Sequence, residues 1–485
     1  MLKLLAPLAA MVAISCSPES SREIQVVEVP VYPPPVVEPP PVVEPPDRGF
    51  ISFSRLEQTI INDAQLLSNQ DAENSFYIVG CDRQNLGEEL ANLQKAVNKG
   101  VNSLSTERNI EPVIAVTDCL FRIDQTEYGY DNADLQLVAD RGLFTVVSNT
   151  IRGDTIKFLL QKNVTWMFAD DFFNTATEAD FLTDFGGDTY RTLVGQDFLD
   201  ADFQATEGVD LFAEFADEDA LAGGTNDSKI AFQGRLFWHV ESDNGWMHQA
   251  HDVSLVDSAS INEFPFFIEA AVAPGVQVTD KIFPFVAKET IYHLSNGLLG
   301  FRLSNAAGEG LGSAAADIVQ DNRGSIGTLQ RVIRLGSCSG CHIGGTIGYT
   351  DELRDHVLSR SGANFDQNEK LLAQIFFNDD ENQKAFAESD LIYHRALAQI
   401  GIDPGQPDPI NERLIIPIRQ DYDAAKAAAK FFLPVNAYLA CLSGGDVAET
   451  NLGAHLDGKL VPLQVIADNF QAVIDECNLF QDIEL

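Results

Sequence analysis

The densest chemistry in this sequence is the run Cys338-Ser339-Gly340-Cys341-His342. Two cysteines separated by two residues, with a histidine directly after the second, suit the attachment of a c-type haem. The two thiols add to the vinyl groups along one porphyrin edge, and the adjacent imidazole is carried under the iron. Small Ser339 and Gly340 let the backbone arch close to the ring edge. The pattern predicts one covalent haem c held by Cys338 and Cys341, with His342 as the proximal iron ligand. Two other chemistries use paired cysteines. A thioredoxin-like dithiol opens a helix after a strand of a βαβ unit, which the lead-in Arg334-Leu335-Gly336-Ser337 does not suggest. A zinc site needs another Cys or His pair at ligand spacing, and none follows closely.

The group on the far side of the iron separates electron transfer from chemistry at the metal. A small cytochrome c takes a methionine downstream of its motif. Here the methionines are Met1, Met11, Met167 and Met247, all upstream. Histidines lie upstream at His239, His248, His251 and His293, and downstream at His356, His394 and His455. The stretch Trp246-Met247-His248-Gln249-Ala250-His251-Asp252 gathers several donors into one short segment. It reads either as a turn packed around an aromatic residue, or as a distal haem face or separate metal pair. Met247, His251 and His394 are the distal candidates. Six-coordinate iron favours electron transfer, whereas five-coordinate iron admits peroxide or another small ligand.

Other constellations carry less. Asp170-Asp171 and the group Asp197, Asp200 and Asp202 have calcium-like chemistry but no glycine-punctuated calcium loop, so they are expected to be solvated acidic surface. Neither a nucleophile elbow nor a phosphate-cradling glycine loop is present.

The elements that must position the motif show two periodicities. Phe76-Tyr77-Ile78-Val79-Gly80 and Pro112-Val113-Ile114-Ala115-Val116 predict strands, and Leu90, Leu93, Ala96 and Val97 predict a helix over Gly87 to Val101. Thr290 to Leu294 and Leu298 to Leu303 flank Ser295-Asn296-Gly297, where Asn-Gly supplies the positive backbone angles of a tight turn, so a β-hairpin is expected. Beyond Cys341 the chain becomes helical, most clearly over Asp351 to Leu358, Asn368 to Phe377 and Tyr422 to Leu433.

The chain start resembles an export signal. Lys3 precedes an apolar run through Ile14, and Ala13-Ile14-Ser15-Cys16 is similar to a bacterial lipobox, which makes Cys16 the expected lipidation site. Val26 to Asp47 is almost entirely Pro, Val and Glu, an extended polyproline-II spacer of about 3 Å per residue. Serine at position 17 points to an outer-membrane lipoprotein, facing either periplasm or cell surface. The formal net charge of −40, spread along the chain, argues against nucleic-acid or anionic-lipid binding. A redox partner protein or a small oxidant is expected, with membrane contact through the lipid anchor alone. Of seven cysteines, Cys16 is assigned to lipid and Cys338 and Cys341 to haem, which leaves Cys81, Cys119, Cys441 and Cys477. The economical pairing is Cys81 with Cys119 and Cys441 with Cys477, although spacing alone leaves other pairings open.

The hairpin and motif together, over residues 289–357, resemble the carboxy-terminal part of a family of large exported bacterial proteins with a cytochrome c-like, single-CxxCH domain. The resemblance rests on Leu294-Ser295-Asn296-Gly297-Leu298, Ile318-Val319-Gln320-Asp321, the haem motif and Asp351-Glu352-Leu353-Arg354. It extends upstream through Leu104, Arg122-Ile123-Asp124, Tyr128-Gly129, Ala169-Asp170 and Phe172, with a weaker echo over Arg235 to Asp252. It implies haem and architecture but names no substrate. The expected fold class is α+β: a signal over 1–15, a lipid anchor and spacer over 16–48, a mixed α+β domain over 49–304, and a mainly helical cytochrome c-like haem domain over 305–485. The expected function is a cell-envelope monohaem c-type cytochrome lipoprotein that transfers single electrons. The alternatives are a haem enzyme of peroxidase or oxygenase type, or a haem-based binding or sensor protein.

Overall fold

The computed structural model describes residues 52–80, 90–131, 133–134, 137–138, 165–177, 189–228, 231, 234–253, 260–269, 281–314, 318–319, 332–359, 365–410, 414, 421–444 and 451–479. The signal segment, Cys16, the Pro-rich spacer, Cys81 and Gln320-Asp321 lie outside the described residues.

Phe76-Tyr77-Ile78-Val79 is apolar at every position, as a strand covered on both faces must be. It forms β1 (Ser75–Val79), an inner strand of a four-stranded sheet of order β2-β3-β1-β4, with β2 at Ile114–Ala115, β3 at Leu120–Asp124 and β4 at Thr165–Phe168. Because successive side chains point to opposite faces, this sheet serves two cores. Phe76, Ile78, Phe121, Ile123 and Met167 join the larger core, together with Leu93, Ala96, Val97 and Val101 of the Leu90–Asn102 helix. Tyr77, Val79, Leu120, Trp166 and Phe168 join the second core, made with the Phe53–Leu66 helix and the helices after residue 421.

The larger sheet is six-stranded, of order β10-β9-β8-β7-β6-β5, and every pairing in it is antiparallel. Its strands are β5 (Leu221–Thr225), β6 (Arg235–Ser242), β7 (Gly245–Asp252), β8 (Ala287–His293), β9 (Leu299–Asn305) and β10 (Gly310–Leu311). A two-stranded ribbon of β11 (Ser313–Ala314) and β12 (Val332–Ile333) leads toward the cysteine motif. The predicted hairpin is β8 and β9, but its turn differs in detail. The Leu294 carbonyl accepts from the Gly297 amide at 2.8 Å, and only Gly297 has positive φ, at 83°. This is a three-residue loop closed by a left-handed glycine. Asn296 serves differently: its Oδ1 accepts from the Leu298 amide at 3.1 Å, and its Nδ2 donates to the Asn102 carbonyl at 2.8 Å. The hairpin is thereby tied to the Leu90–Asn102 helix of the first sheet.

One polar hub departs from the expected solvated surface. Asp200 is buried, and it accepts from Arg302 Nε at 2.8 Å, Lys288 Nζ at 2.8 Å and Ser304 Oγ at 2.9 Å. The remaining Arg302 nitrogens donate to the Asp197 and Phe198 carbonyls, each at 2.6 Å. With each nitrogen of a buried guanidinium bonded, this cluster pins the Asp200–Thr206 helix to the sheet.

Beyond Cys341 the described elements are helices, as the sequence predicts, and the fold is mixed α+β. The expected division at 304/305 falls inside β9, and residues Gly49–Leu485 form one unit. The cores do not follow that division. The second core brings helices from both ends of this unit onto one face of the first sheet, a long-range pairing that local periodicity does not encode. Cys441 and Cys477 are disulfide-bonded to each other there, and Cys119 is also disulfide-bonded.

Glu57 lies fully buried in this region, accepting from Trp166 Nε1 at 2.6 Å through Oε1, while its Oε2 has no hydrogen-bond partner among the described residues. Burial raises its carboxyl from 4.5 to about 7, against the lowering effect of the Trp166 bond. Below about pH 4.5 the group is protonated folded and unfolded alike. As pH rises toward 7 the unfolded chain ionises first, so folding stability declines, and by pH 8 the deficit reaches about 3 kcal/mol. Glu57→Gln should therefore match the wild type near pH 4 in urea unfolding and exceed it by roughly that amount at pH 8.

Candidate functional site

Strand parity decides which side chains meet the motif. His239 is paired with His248, His248 with Ile291, and Ile291 with Phe301, so these four share one face of the larger sheet. The next row on that face is Phe237, Ala250, Glu289 and Leu303. The motif packs here: Cys338 Sγ lies 3.7 Å from Glu289 Oε1, and the His342 ring centroid is 6.0 Å from that of Phe301.

The distal candidates fare differently from expectation. Residues 246–252 are strand rather than turn, so Met247 and His251, each an odd number of positions from His248, point to the opposite face. Met247 is fully buried in the larger core, and the His251 ring lies 4.8 Å from Phe267 and 4.5 Å from Phe285. Neither faces the motif. His394 sits on the long Asp379–Ile400 helix, and its Nε2 donates to the Gly344 carbonyl at 2.6 Å. It anchors the loop after the motif instead of offering that nitrogen to a metal.

The chain enters the motif through Leu335, a buried residue at φ 51°. A bulky side chain in the left-handed region costs about 1–2 kcal/mol, and such strain marks a backbone held for a purpose. One helical turn follows, Cys338–Cys341, closed by the His342 amide donating to the Cys338 carbonyl at 2.8 Å. Cys338 and Cys341 are thiols outside any disulfide, with Cys338 buried and Cys341 partly exposed. His342 Nδ1 donates to the Gly345 carbonyl at 3.0 Å. A carbonyl only accepts, so Nδ1 carries the proton and Nε2 carries the lone pair, the tautomer in which metal-binding imidazoles are held.

Gly345 has φ 121°, and a Cβ there would run into the Asp390 carboxylate. That carboxylate also accepts from the Thr346 amide at 2.7 Å and the Thr346 hydroxyl at 2.8 Å. The long helix thus grips the loop that orients His342. At its start the helix carries Asp379, Asp380 and Glu381, suited to the positive end of its dipole, and it ends at Gly401 with φ 74°. Further along the same loop region, Asp351 and Glu352 fasten to strand β5. The Gly224 amide donates to Asp351 Oδ1 at 2.9 Å, and the Glu352 amide donates to the Gly224 carbonyl at 2.9 Å.

Above the histidine pair the long helix and Tyr349 form an aromatic cover. Phe386 lies 4.8 Å from the His239 ring and 5.5 Å from His248, while Tyr349 stacks on Phe237 at 4.3 Å. His239 Nε2 is 3.0 Å from the Tyr349 hydroxyl, and His239 Nδ1 is 2.9 Å from His248 Nδ1. Burial pushes His239 down to about 3 and His248 well below its ordinary value, so both rings are neutral at physiological pH. His248 Nε2 is buried without a hydrogen-bond partner among the described residues. His293, on the same face, uses both nitrogens, toward Ser389 Oγ at 2.9 Å and the Gly297 carbonyl at 3.2 Å.

Beside Cys338 lies a buried charge cluster. Arg235 donates to both Asp252 oxygens, at 2.7 and 2.8 Å, and to Glu289 Oε2 at 2.7 Å. Burial raises Asp252 despite the lowering by Arg235, while at Glu289 burial, the largest single influence, is outweighed by its neighbours together, Arg235 foremost.

The motif-side face is slightly less closed than the one behind it. His248, Ala250, Glu289 and Ile291 retain 6, 7, 7 and 8 % of their surface, whereas Met247, Gln249, Thr290 and Tyr292 behind them retain 0, 2, 0 and 1 %. Among the described residues no three His, Cys, Asp or Glu side chains are gathered as a bare-ion cage. Two thiols on one helical turn and the imidazole after them are donors that would fit a thioether-linked macrocycle. Sequence reasoning did not select Tyr349, Phe386, Arg235 or Glu289, and it named His239 and His248 only among the upstream histidines. Recognising β6 and β7 as paired strands would have separated His248 from His251 by parity. Comparison with family models, with curated proteins and with solved structures finds no match to this chain.

Replacing Arg235 with leucine leaves two buried carboxylates without their cation. The expected cost is about 3–5 kcal/mol in urea unfolding, and a loss below 1 kcal/mol would show that solvent reaches the pair.

Proposed function

We propose that this protein is a monohaem c-type cytochrome of the bacterial cell envelope, anchored by lipid at Cys16 and passing single electrons, as the family resemblance implies. The observation that carries the reading is the motif itself: two thiols on one helical turn, followed by an imidazole whose Nδ1 is fixed by the Gly345 carbonyl. A haem bound there supplies a one-electron iron couple. Cys338 and Cys341 hold the ring edge, and the Cys341 end is partly exposed, which gives a redox partner protein or small oxidant its approach. His342 is oriented through Gly345, which Asp390 and His394 hold in turn by their bonds to Thr346 and Gly344. Phe386, Tyr349 and Phe237 keep water from the histidine pair. The Pro-rich spacer supports a folded part held away from a membrane surface.

The test is expression with a working haem-maturation system. The wild type should give a pyridine haemochrome spectrum for one thioether-linked haem per chain, retained after denaturation. The Cys338→Ala, Cys341→Ala variant should retain none, and covalent haem in that variant would overturn the assignment. In the same cells Cys16→Ser should abolish fatty-acid labelling and release the protein from the membrane fraction; labelling that persists would count against the lipid anchor.

A further inference from the structure

The sheet histidines carry a consequence beyond attachment. His239 and His248 meet Nδ1 to Nδ1 at 2.9 Å, a separation that requires one nitrogen to donate and the other to accept. Two proton arrangements satisfy it. In the first, His239 donates to His248, which puts the His248 proton on Nε2, a buried donor with no acceptor. An unanswered buried donor costs about 1–3 kcal/mol. In the second, His248 Nδ1 donates to His239, His239 Nε2 donates to the Tyr349 oxygen 3.0 Å away, and His248 Nε2 is left with a lone pair. That lone pair has no donor to accept from among the described residues, and Nε2 is buried. A hydrogen-bond donor or a Lewis acid would complete this second arrangement, and a metal ion can bind only to it, because the first puts a proton on Nε2.

We infer that His248 is the distal iron ligand of this haem, binding through Nε2, and that His239 and Tyr349 are positioning residues that fix its tautomer. The inference rests on the haem reading above. Three further observations support it. His248 projects from the sheet face on which the motif packs, in one paired row with Ile291 and Phe301, and Phe301 touches His342. His248 and Ile291 beside it keep 6 and 8 % of their surface on that face, more than the residues behind them. The chain His248–His239–Tyr349 has the form in which a ligating imidazole is held by a hydrogen bond at its other nitrogen. His293 has both nitrogens committed and His394 has its Nε2 bonded to the Gly344 carbonyl, while Met247 and His251 face away. The assignment makes the iron bis-histidine, hence six-coordinate and low-spin, which favours electron transfer over peroxide chemistry.

The experiment uses the full-length ferric holoprotein, with haem content read by pyridine haemochrome on each sample and spin state by electron paramagnetic resonance and absorption. The wild type should be low-spin and inert to added cyanide over minutes. His248→Ala should turn high-spin and bind cyanide at least ten times faster, and added imidazole should restore the low-spin signal. His248→Met guards against a folding defect: it should stay low-spin while exchanging the bis-histidine signature for a histidine–methionine one. His239→Phe should keep its haem but show a shifted low-spin signal, since the imidazole loses its acceptor. A wild type with covalent haem and high-spin iron, or an unchanged low-spin spectrum in His248→Ala, would overturn the inference and leave the haem reading standing. A wild type without covalent haem would overturn both.

Discussion

Two neutral imidazoles facing each other nitrogen to nitrogen, in a space that admits little water, set the terms for everything around them. The contact between His239 and His248 exists because antiparallel pairing puts them directly opposite on one face. It persists because Phe386 and Tyr349 cover it. Burial strips both rings of charge, so the pair is held by direction rather than by Coulomb attraction, and a proton on one ring fixes the proton on the other. The helix that supplies Phe386 also supplies Asp390 and His394, so one element governs the histidine pair and the motif loop together. A displacement of that helix would disturb both.

What the sequence made legible was what covalent spacing and local turn chemistry dictate. The cysteine-histidine run needs five adjacent residues and no tertiary context. The β8–β9 hairpin announced itself through Asn296-Gly297, because a left-handed residue at a strand junction leaves few other readings. The Leu90–Asn102 helix and the helical tail followed from periodicity. The parts that were not legible depend on pairing across distance. Treating 246–252 as a turn hid the parity that sends His248 and His251 to opposite faces. Asp200 looked like one acid among many, and only the fold brings Arg302, Lys288 and Ser304 to it from strands far along the chain. The division at 304/305 followed a change in local character, but a core is defined by which faces meet.

The two faces of the larger sheet divide labour by chemistry. One is dry and closed, with Trp238, Val240, Met247 and Tyr292 among its packed side chains and the Asp200 hub at its margin. The other carries His239, His248 and His293 and the Arg235 cluster, with the motif packed against it. A buried guanidinium facing two carboxylates sits next to Cys338. Satisfied hydrogen bonds make that burial tolerable, and they also leave the cluster sensitive to losing any one member. Rigidity on one side thus supports a polar arrangement on the other.

Cys338 and the disulfide-bonded Cys119 both pack in the larger core, while Cys441 and Cys477 close their disulfide at the second. In an oxidising compartment a reactive CxxC pair can be captured by any thiol that reaches it during folding. Here the Cys441–Cys477 disulfide belongs to the second core, on the opposite face of the first sheet from the core that holds Cys338. The native fold thereby puts a sheet between that disulfide and the thiols of the CxxC run.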